Sequence, residues 1–343
     1  MKQSVLVTAI GSFSAGEVIR VCRQMGFRVV GCDIYPAKWV ASSRDVDVFY
    51  QSVSGLDETA YRNFLLDVCE RERVSWILPL TDVEVDALQA WRLEDPGMGG
   101  LTAAVCMSGS ETITWCRNKE KMEEFLSERK LCRTIPGKWL TRIFLAEASS
   151  GYGDMTFPQV IKPVDGRSSQ DLHIVQDPAQ MAYWSTTLRR TSSRYLVQPK
   201  IEGDVITVDV VRDPESGDCV CVARRELLRT QNGAGTSVHV FRDALLEREC
   251  REIAGALDVR GCVNFEFIDS GEQGEQEYCF LECNPRFAGG VVFSRLAGYD
   301  MVKNHLNVFL GKGIEPMSEI REQYIARRYE EYCMGDGEDD TEA

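Results

Sequence analysis

Histidine is scarce in this 343-residue chain: His173, His239 and His305 are the whole complement, and none lies near a cysteine pair. A zinc site built from the usual His and Cys ligands is therefore not expected. No CxxC spacing occurs among the thirteen cysteines, whose odd number and irregular scatter read as free thiols in a reducing compartment. No apolar run reaches the roughly 18 residues that span a membrane, and the apolar N-terminal segment stops at Gly11 without a basic region before it. A cytoplasmic protein with no membrane partner is the expectation. Positive charge is also in deficit, 39 Lys and Arg against 53 Asp and Glu, a net charge of −14. That balance argues against a nucleic-acid partner, which needs a positive field along its phosphates. A small polyanion needs only a local gathering of cations.

What is present is ordinary for a folded protein, 44% hydrophobic and 27% charged, with a length sufficient for about two or three packed units. The first third alternates strand and helix patterns. "VLVTAI" is followed by a helix from about Ala15 to Met25, and "FRVVGCDIY" is a buried strand ending near Asp33. "DETAYRNFLLDVCERERV" has helical spacing, "SWILPL" is a strand and "DVEVDALQAW" is helical again. The pattern predicts an α/β unit with a parallel, doubly wound sheet over residues 1–110. From Glu111, "ETITWCRNKEKMEEFLSERKL" predicts one charged amphipathic helix closed by Pro136 and Gly137. The β-rich runs "FPQVIKPV", "YLVQPKI", "VITVDVV" and "CVCVARREL" then predict antiparallel sheets. Residues 111–197 and 198–334 are expected to form the remaining units, with an acidic, disordered tail at 335–343.

The opening loop imitates a dinucleotide fingerprint through Gly11, Gly16 and Asp33. Phe13 stands where the glycine that admits a pyrophosphate belongs. A P-loop needs Gly-Lys-Ser/Thr, and here Gly16 is followed by Glu17 and Val18. The loop thus reads either as a tight turn or as one wall, Gly11, Ser12 and Phe13, of a pocket for a substrate other than the nucleotide.

The most informative segment is "YCFLECNPRFAGG", residues 278–290. Strand alternation puts Tyr278, Phe280, Glu282 and Asn284 on one face. In "CVNFEFI", Asn264, Glu266 and Ile268 share a face, and a hairpin brings Glu266 beside Glu282. Two carboxylates and an amide oxygen are hard ligands, the set that holds Mg2+, with Mn2+ as an alternative, against nucleotide phosphates. Arg286, just beyond Pro285, adds a fixed fork donor for phosphate oxygens. No GxSxG and no Cys–His pairing suggests a side-chain nucleophile.

At these residues the chain resembles the ATP-grasp ligases, and within them the single-copy members similar to the carbamoyl-phosphate-synthase large subunit. The resemblance runs from about Val5 to Lys312. It implies an N-terminal α/β unit followed by an α+β fold in which two antiparallel sheets, one a lid, sandwich ATP. It implies Glu266, Glu282 and Asn284 as Mg2+ ligands and Arg286 as the phosphate or acyl-phosphate contact. "RNKEKMEEF" resembles the helix start with a phosphate-contacting base, Lys119. "PQVIKPVDGRSSQ" resembles the lid, with Lys162 on the phosphates and a covering loop that includes Gly166, Ser168 and Ser169. "YLVQPKIEGDVITVDVV" resembles the hinge, where Gln198, Pro199, Lys200 and Ile201 would meet the adenine.

Two departures accompany the matches. Asp171 stands where the lid loop usually has glycine, and Val205 where an acid commonly holds the ribose, a role left to Glu202 or Asp204. By its place in the family pattern, Arg225 rather than Arg224 is the expected contact to a substrate carboxylate or acyl phosphate. Asp82 or Glu84 would present a carboxylate to an acceptor amine. The activity implied is ATP-dependent activation of a carboxylate as an acyl phosphate and its transfer to an amine of amino-acid or small-peptide type, in a chain compatible with a homodimer. The alternatives are an ATP-binding regulatory module without turnover, or one phosphorylating half of a carbamoyl-phosphate-synthase-type system.

Overall fold

A computed structural model describes residues 2–147, 152, 155–167, 170–191, 193–231, 233–271, 277–317 and 319–335. The first part runs β1 (Ser4–Val7), α1 (Ala15–Gln24), β2 (Arg28–Asp33), β3 (Val48–Gln51), α2 (Glu58–Glu72), β4 (Val74–Leu78), α3 (Asp82–Glu94) and β5 (Ala104–Val105). Its strands pair in parallel in the order β3-β2-β1-β4-β5. β1 is buried on both faces, as a central parallel strand covered by helices must be. The chain reverses direction across the sheet between β1 and β4, so a crevice opens beyond their carboxyl ends. The loops after these two strands stand there.

The expected single helix after Glu111 is two: α4 (Ser110–Cys116) and α5 (Lys119–Arg129). The break falls at Asn118, which is extended (φ −128°, ψ 105°) and accepts a hydrogen bond from Lys121 N at 2.9 Å. An asparagine cap satisfies an orphan N–H that a continuous helix would not have. Lys119 consequently opens a helix. That helix ends at Lys130, left-handed at φ 53°, so Pro136 and Gly137 are not its stop. They lie between β6 (Arg133–Thr134) and β7 (Lys138–Trp139).

Then come α6 (Leu140–Glu147), β8 (Gln159–Pro163), β9 (His173–Val175), α7 (Pro178–Leu188) and β10 (Tyr195–Pro199). The sheet β7-β10-β8-β9 has a core of its own, in which Ile161, Val175, Met181, Leu188, Tyr195 and Val197 pack together. The remaining elements are β11 (Asp204–Arg212), β12 (Cys219–Arg229), β13 (Gly235–Phe241), α8 (Ala244–Ala256), β14 (Gly261–Asp269), β15 (Tyr278–Asn284), α9 (Val291–Ala297), α10 (Met301–Phe309) and β16 (Gln323–Ala326). The large sheet is ordered β16-β13-β12-β11-β14-β15-β6. One face packs on α8 through Val208, Cys221, Phe265 and Ile253. Val211, Val222 and Val240 on the other face join α1 and the first sheet through Phe293 and Leu306. The first and last parts of the chain therefore share one core.

Strand β15 does not alternate regularly. Glu266 pairs with Glu282, but Phe267 pairs with Phe280, leaving Leu281 as the extra residue of a bulge. Tyr278 and Phe280 consequently pack in the core with Cys283, not on the face of Glu282 and Asn284 as simple alternation predicts. Packing of the two aromatic rings against Phe265 and Phe267 is the physical reason: their edge-to-face contacts require the core side.

Candidate functional site

A cavity of about 320 Å3 lies where β8 of the four-stranded sheet, strands β11, β12, β14 and β15, and the loops after β1 and β4 converge. At one end stand two lysines and two glutamates. Lys119 Nζ donates to the Gly166 carbonyl at 2.7 Å and lies 3.5 Å from Glu282 Oε2. Glu266 faces Glu282 across the β14–β15 register, and Arg229 Nη2 donates to Glu266 Oε2 at 3.0 Å. Burial raises the Glu266 carboxyl, partly opposed by Arg229. Burial would raise Glu282 too, but Lys119 and Lys162 hold it below the ordinary carboxylate range. Asn284 Nδ2 donates to Asn264 Oδ1 at 3.2 Å and to Glu282 Oε1 at 3.4 Å.

Lys162 is buried, and burial together with the charge on Lys119 pushes it down to about 8. An unfolded lysine titrates near 10.5, so between those values the unfolded chain holds the extra proton and the folded chain does not. Stability of the ligand-free protein should therefore rise with pH through that window, by on the order of 3 kcal/mol from this group. Urea unfolding at pH 8 and pH 10 measures it, with Lys162→Met as reference. The rise must be smaller in that variant.

Arg286 reaches the same cavity and is held by Asp82, with Nε to Oδ1 at 3.1 Å and Nη2 to Oδ2 at 2.7 Å. Burial opposes the charge on Asp82, but Arg286 and Arg117 keep its carboxyl low. Asp82, expected beside an acceptor amine, lines the cavity as the anchor of a guanidinium. Ser12 and Phe13 line the cavity; Gly11 and Glu84 do not. The Gly11 N–H donates to Asp33 Oδ2 at 2.7 Å, so the apparent fingerprint acid holds the turn. Glu84 accepts from the Thr81 hydroxyl.

A further correction concerns Arg225. Along β12, Arg224 and Glu226 face the cavity, while Arg225 lies on the opposite face, bonded to Asp204 and, at 2.8 Å, to Asp269 Oδ2. Strand alternation allows only one of the two arginines into the site. Arg224 is the one, fully buried between Asp209 Oδ2 at 2.7 Å and Glu226 Oε1 at 3.1 Å. Arg229 and Arg167, which also line the cavity, carried no separate sequence signal.

A smaller hollow adjoins the first, sharing Lys119, Lys162, Leu281 and Glu282, and is walled by Met122, Ile135, Phe280 and Gln198. Of the expected hinge residues only Gln198 lines it, with its amide donating to the Ile135 carbonyl. Pro199, Lys200, Ile201, Glu202 and Asp204 line neither space. Lys200 and Glu202 pair with each other. Ser168 and Ser169 lie outside the described residues. Asp171 is left-handed at φ 56°, the conformation glycine would adopt there, and its carboxylate accepts from Tyr195. Among the described residues no three His, Cys, Asp or Glu side chains cluster to hold a metal alone, and no helix is long and apolar enough to cross a membrane.

Residues 191–332 match the model of an ATP-grasp family described as "ATP-grasp in the biosynthetic pathway with Ter operon". The structure is also similar to several solved ones. The biotin carboxylase domain of Hydrogenobacter thermophilus 2-oxoglutarate carboxylase superposes with TM-score 0.74 at 17% identity, covering 94% of this chain and 74% of that one. The chain adopts the ATP-grasp fold. Biotin carboxylase from Campylobacter jejuni gives 0.72 at 17%, over 94% and 74% of the two chains. N5-carboxyaminoimidazole synthetase from Staphylococcus aureus gives 0.71 at 13%, over 93% and 81%. No curated protein matches by sequence. In this ATP-grasp fold the lysines and acids gather between the four-stranded sheet and the large sheet.

Proposed function

We propose that the protein is an ATP-dependent ligase that activates a carboxylate as an acyl phosphate and transfers it to an amine, with substrates of amino-acid or small-peptide type. The observation that carries this reading is the convergence of Lys119, Lys162, Glu266, Glu282 and Asn284 on one cavity, with Arg286 beside them. The similar structures include one described with MgADP and bicarbonate and one with ADP, which supports the nucleotide and the metal. One of them is described as a dimer, and a homodimer is part of the same reading.

Glu266, Glu282 and Asn284 supply oxygen donors of the kind Mg2+ or Mn2+ takes, and the opposed carboxylates suit a cation between them. The metal would neutralise charge on the phosphate oxygens. Lys162 and Lys119 bind and orient the phosphates, and the lid residues near Gly166 cover them. The nucleotide base is assigned to the hollow walled by Gln198 and Phe280, which has about 10 Å3 of free space and must widen to admit it.

A substrate carboxylate oxygen then forms a bond to the γ-phosphorus as the bond to ADP breaks. Arg286, held in place by Asp82, donates to the acyl-phosphate oxygens where charge develops. The amine nitrogen bonds to the acyl carbon, phosphate leaves and the nitrogen loses a proton. Left-handed Asp171 supports a lid of ordinary backbone path. The deciding experiment is a screen of carboxylates for ATP-dependent phosphate release with hydroxylamine present. Hydroxamate formed in step with phosphate is expected; tight Mg-ATP binding without phosphate release from any carboxylate would instead favour the regulatory module.

A further inference from the structure

One turn of α3, from Asp82 to Asp86, fastens the first sheet's helices to the large sheet and to the four-stranded sheet. Asp82 holds Arg286, just past β15, at 2.7 and 3.1 Å. Asp86 stands four residues on, and residues at that spacing are neighbours on one side of a helix. It takes Arg117, from the end of α4, in a two-pronged contact, Nε to Oδ1 at 2.7 Å and Nη2 to Oδ2 at 2.9 Å. Arg117 Nη1 also lies 3.7 Å from Asp82 Oδ1, so its guanidinium spans both acids. Burial opposes the charge on Arg117, but Asp86 and Asp82 hold it above the ordinary range.

Asp86 Oδ2 accepts from a second guanidinium, Arg167 Nη1, at 3.1 Å. Arg167 stands on the loop that follows β8 of the four-stranded sheet. The same loop is tied to the start of α5, where the Lys119 N–H donates to the Val164 carbonyl at 3.0 Å and Lys119 Nζ to that of Gly166 at 2.7 Å. Asp82, Gly166, Arg167 and Arg286 line the cavity, whereas Asp86 and Arg117 do not. These two act from behind it. A two-pronged partner fixes the plane of a carboxylate, so Arg117 sets the direction from which Asp86 meets Arg167.

We propose that Asp86 is a positioning residue: with Arg117 behind it, it forms a catch on α3 that seats residues 164–167 over the nucleotide phosphates. This deepens the ligase reading above, on which the place of the phosphates rests. The Arg167 and Asp86 side chains are 27% and 38% exposed, so water screens the pair and it is worth a few-fold in an equilibrium, not orders of magnitude. A catch of that strength opens readily enough to admit ATP and release ADP.

Asp86→Asn and Arg167→Met should each raise the KM for ATP about two- to fivefold, with kcat changing less. Arg167→Lys, which keeps a charge, should lie between the wild type and Arg167→Met. Both substitutions cut one contact, so the double variant should be no worse than the poorer single one. Losses that multiply overturn the catch, as does an Asp86→Asn variant with an unchanged or lower KM for ATP, which would assign Arg167 to the phosphates. The catch is also read without turnover. In the ligand-free protein, backbone amides of residues 159–167 should exchange with deuterium about two- to fivefold faster in Asp86→Asn than in the wild type, although Asp86 lies 81 positions from Arg167. Strand β11 serves as the internal reference. An unchanged rate over 159–167, or an equal rise in β11, overturns the proposal. If the wild type releases no phosphate with any carboxylate, the ligase reading fails by that result and the exchange measurement alone decides the catch.

Discussion

Glu282→Gln is expected to lower ATP-dependent phosphate release by roughly 10³-fold, the scale on which removing one fixed electrostatic contact acts in a water-poor site. Two effects combine. The variant loses one of three oxygen donors at the proposed metal position, opposite Glu266. It also loses one of the two acids that favour the charged form of Lys162, so burial and Lys119 push that lysine lower still. The two are separable. Loss through the metal should be partly reversed by raising Mg2+, and loss through Lys162 by lowering the pH. The fold should survive, because among the described residues the Glu282 side chain is bonded only to Lys119, at 3.5 Å, and Asn284, at 3.4 Å, at a cavity wall. Unchanged turnover with an unchanged thermal midpoint would overturn the metal assignment.

Asp209→Ala is expected to destabilise the protein by roughly 3–5 kcal/mol, the usual cost of removing one partner from a buried ion pair. Asp209 is completely buried and holds both Arg224 Nη1, at 2.7 Å, and Ser294 Oγ, at 2.6 Å. Those bonds tie α9 to the middle of the large sheet. Without the aspartate, Arg224 keeps only Glu226 among the described residues, and part of its charge is left in an apolar wall against Phe293. The double variant Asp209→Leu with Arg224→Met removes that pair at similar volume but takes the guanidinium from buried Glu226 as well, so it should recover only part of the loss. Urea denaturation of the two single variants and the double one gives the coupling directly. Additive losses would mean that the pair does not act as a unit.

The sequence carried the strand-helix alternation of the first 110 residues, the antiparallel runs after them, and the pattern "LECNPR". These were legible because they depend on local properties: apolar period, turn residues and side-chain chemistry within a few positions. The same locality misled at three places. A helical period from Glu111 cannot reveal that Asn118 would break it, since a cap is chosen by the backbone on both sides. The bulge at Leu281 comes from aromatic packing against β14, a strand that begins twenty residues earlier in the chain. In "CVCVARREL" both faces of β12 are apolar because the strand is central, so alternation separates Arg224 from Arg225 without telling which of them meets the cavity.

By itself, then, the sequence determined which residue types are available: a shortage of histidine, acids and an amide on neighbouring strands, lysines ahead of them, and no nucleophile motif. It also determined the order in which strands and helices follow. Only the tertiary structure decided the partnerships. Asp82 and Arg286 are 204 positions apart and bonded, Asp33 secures the loop it seemed to share with a nucleotide, and one oxygen of Glu226 meets no donor among the described residues. The reason is physical: chemical type is written residue by residue, whereas a charge acquires its role from what is left beside it once water has been excluded.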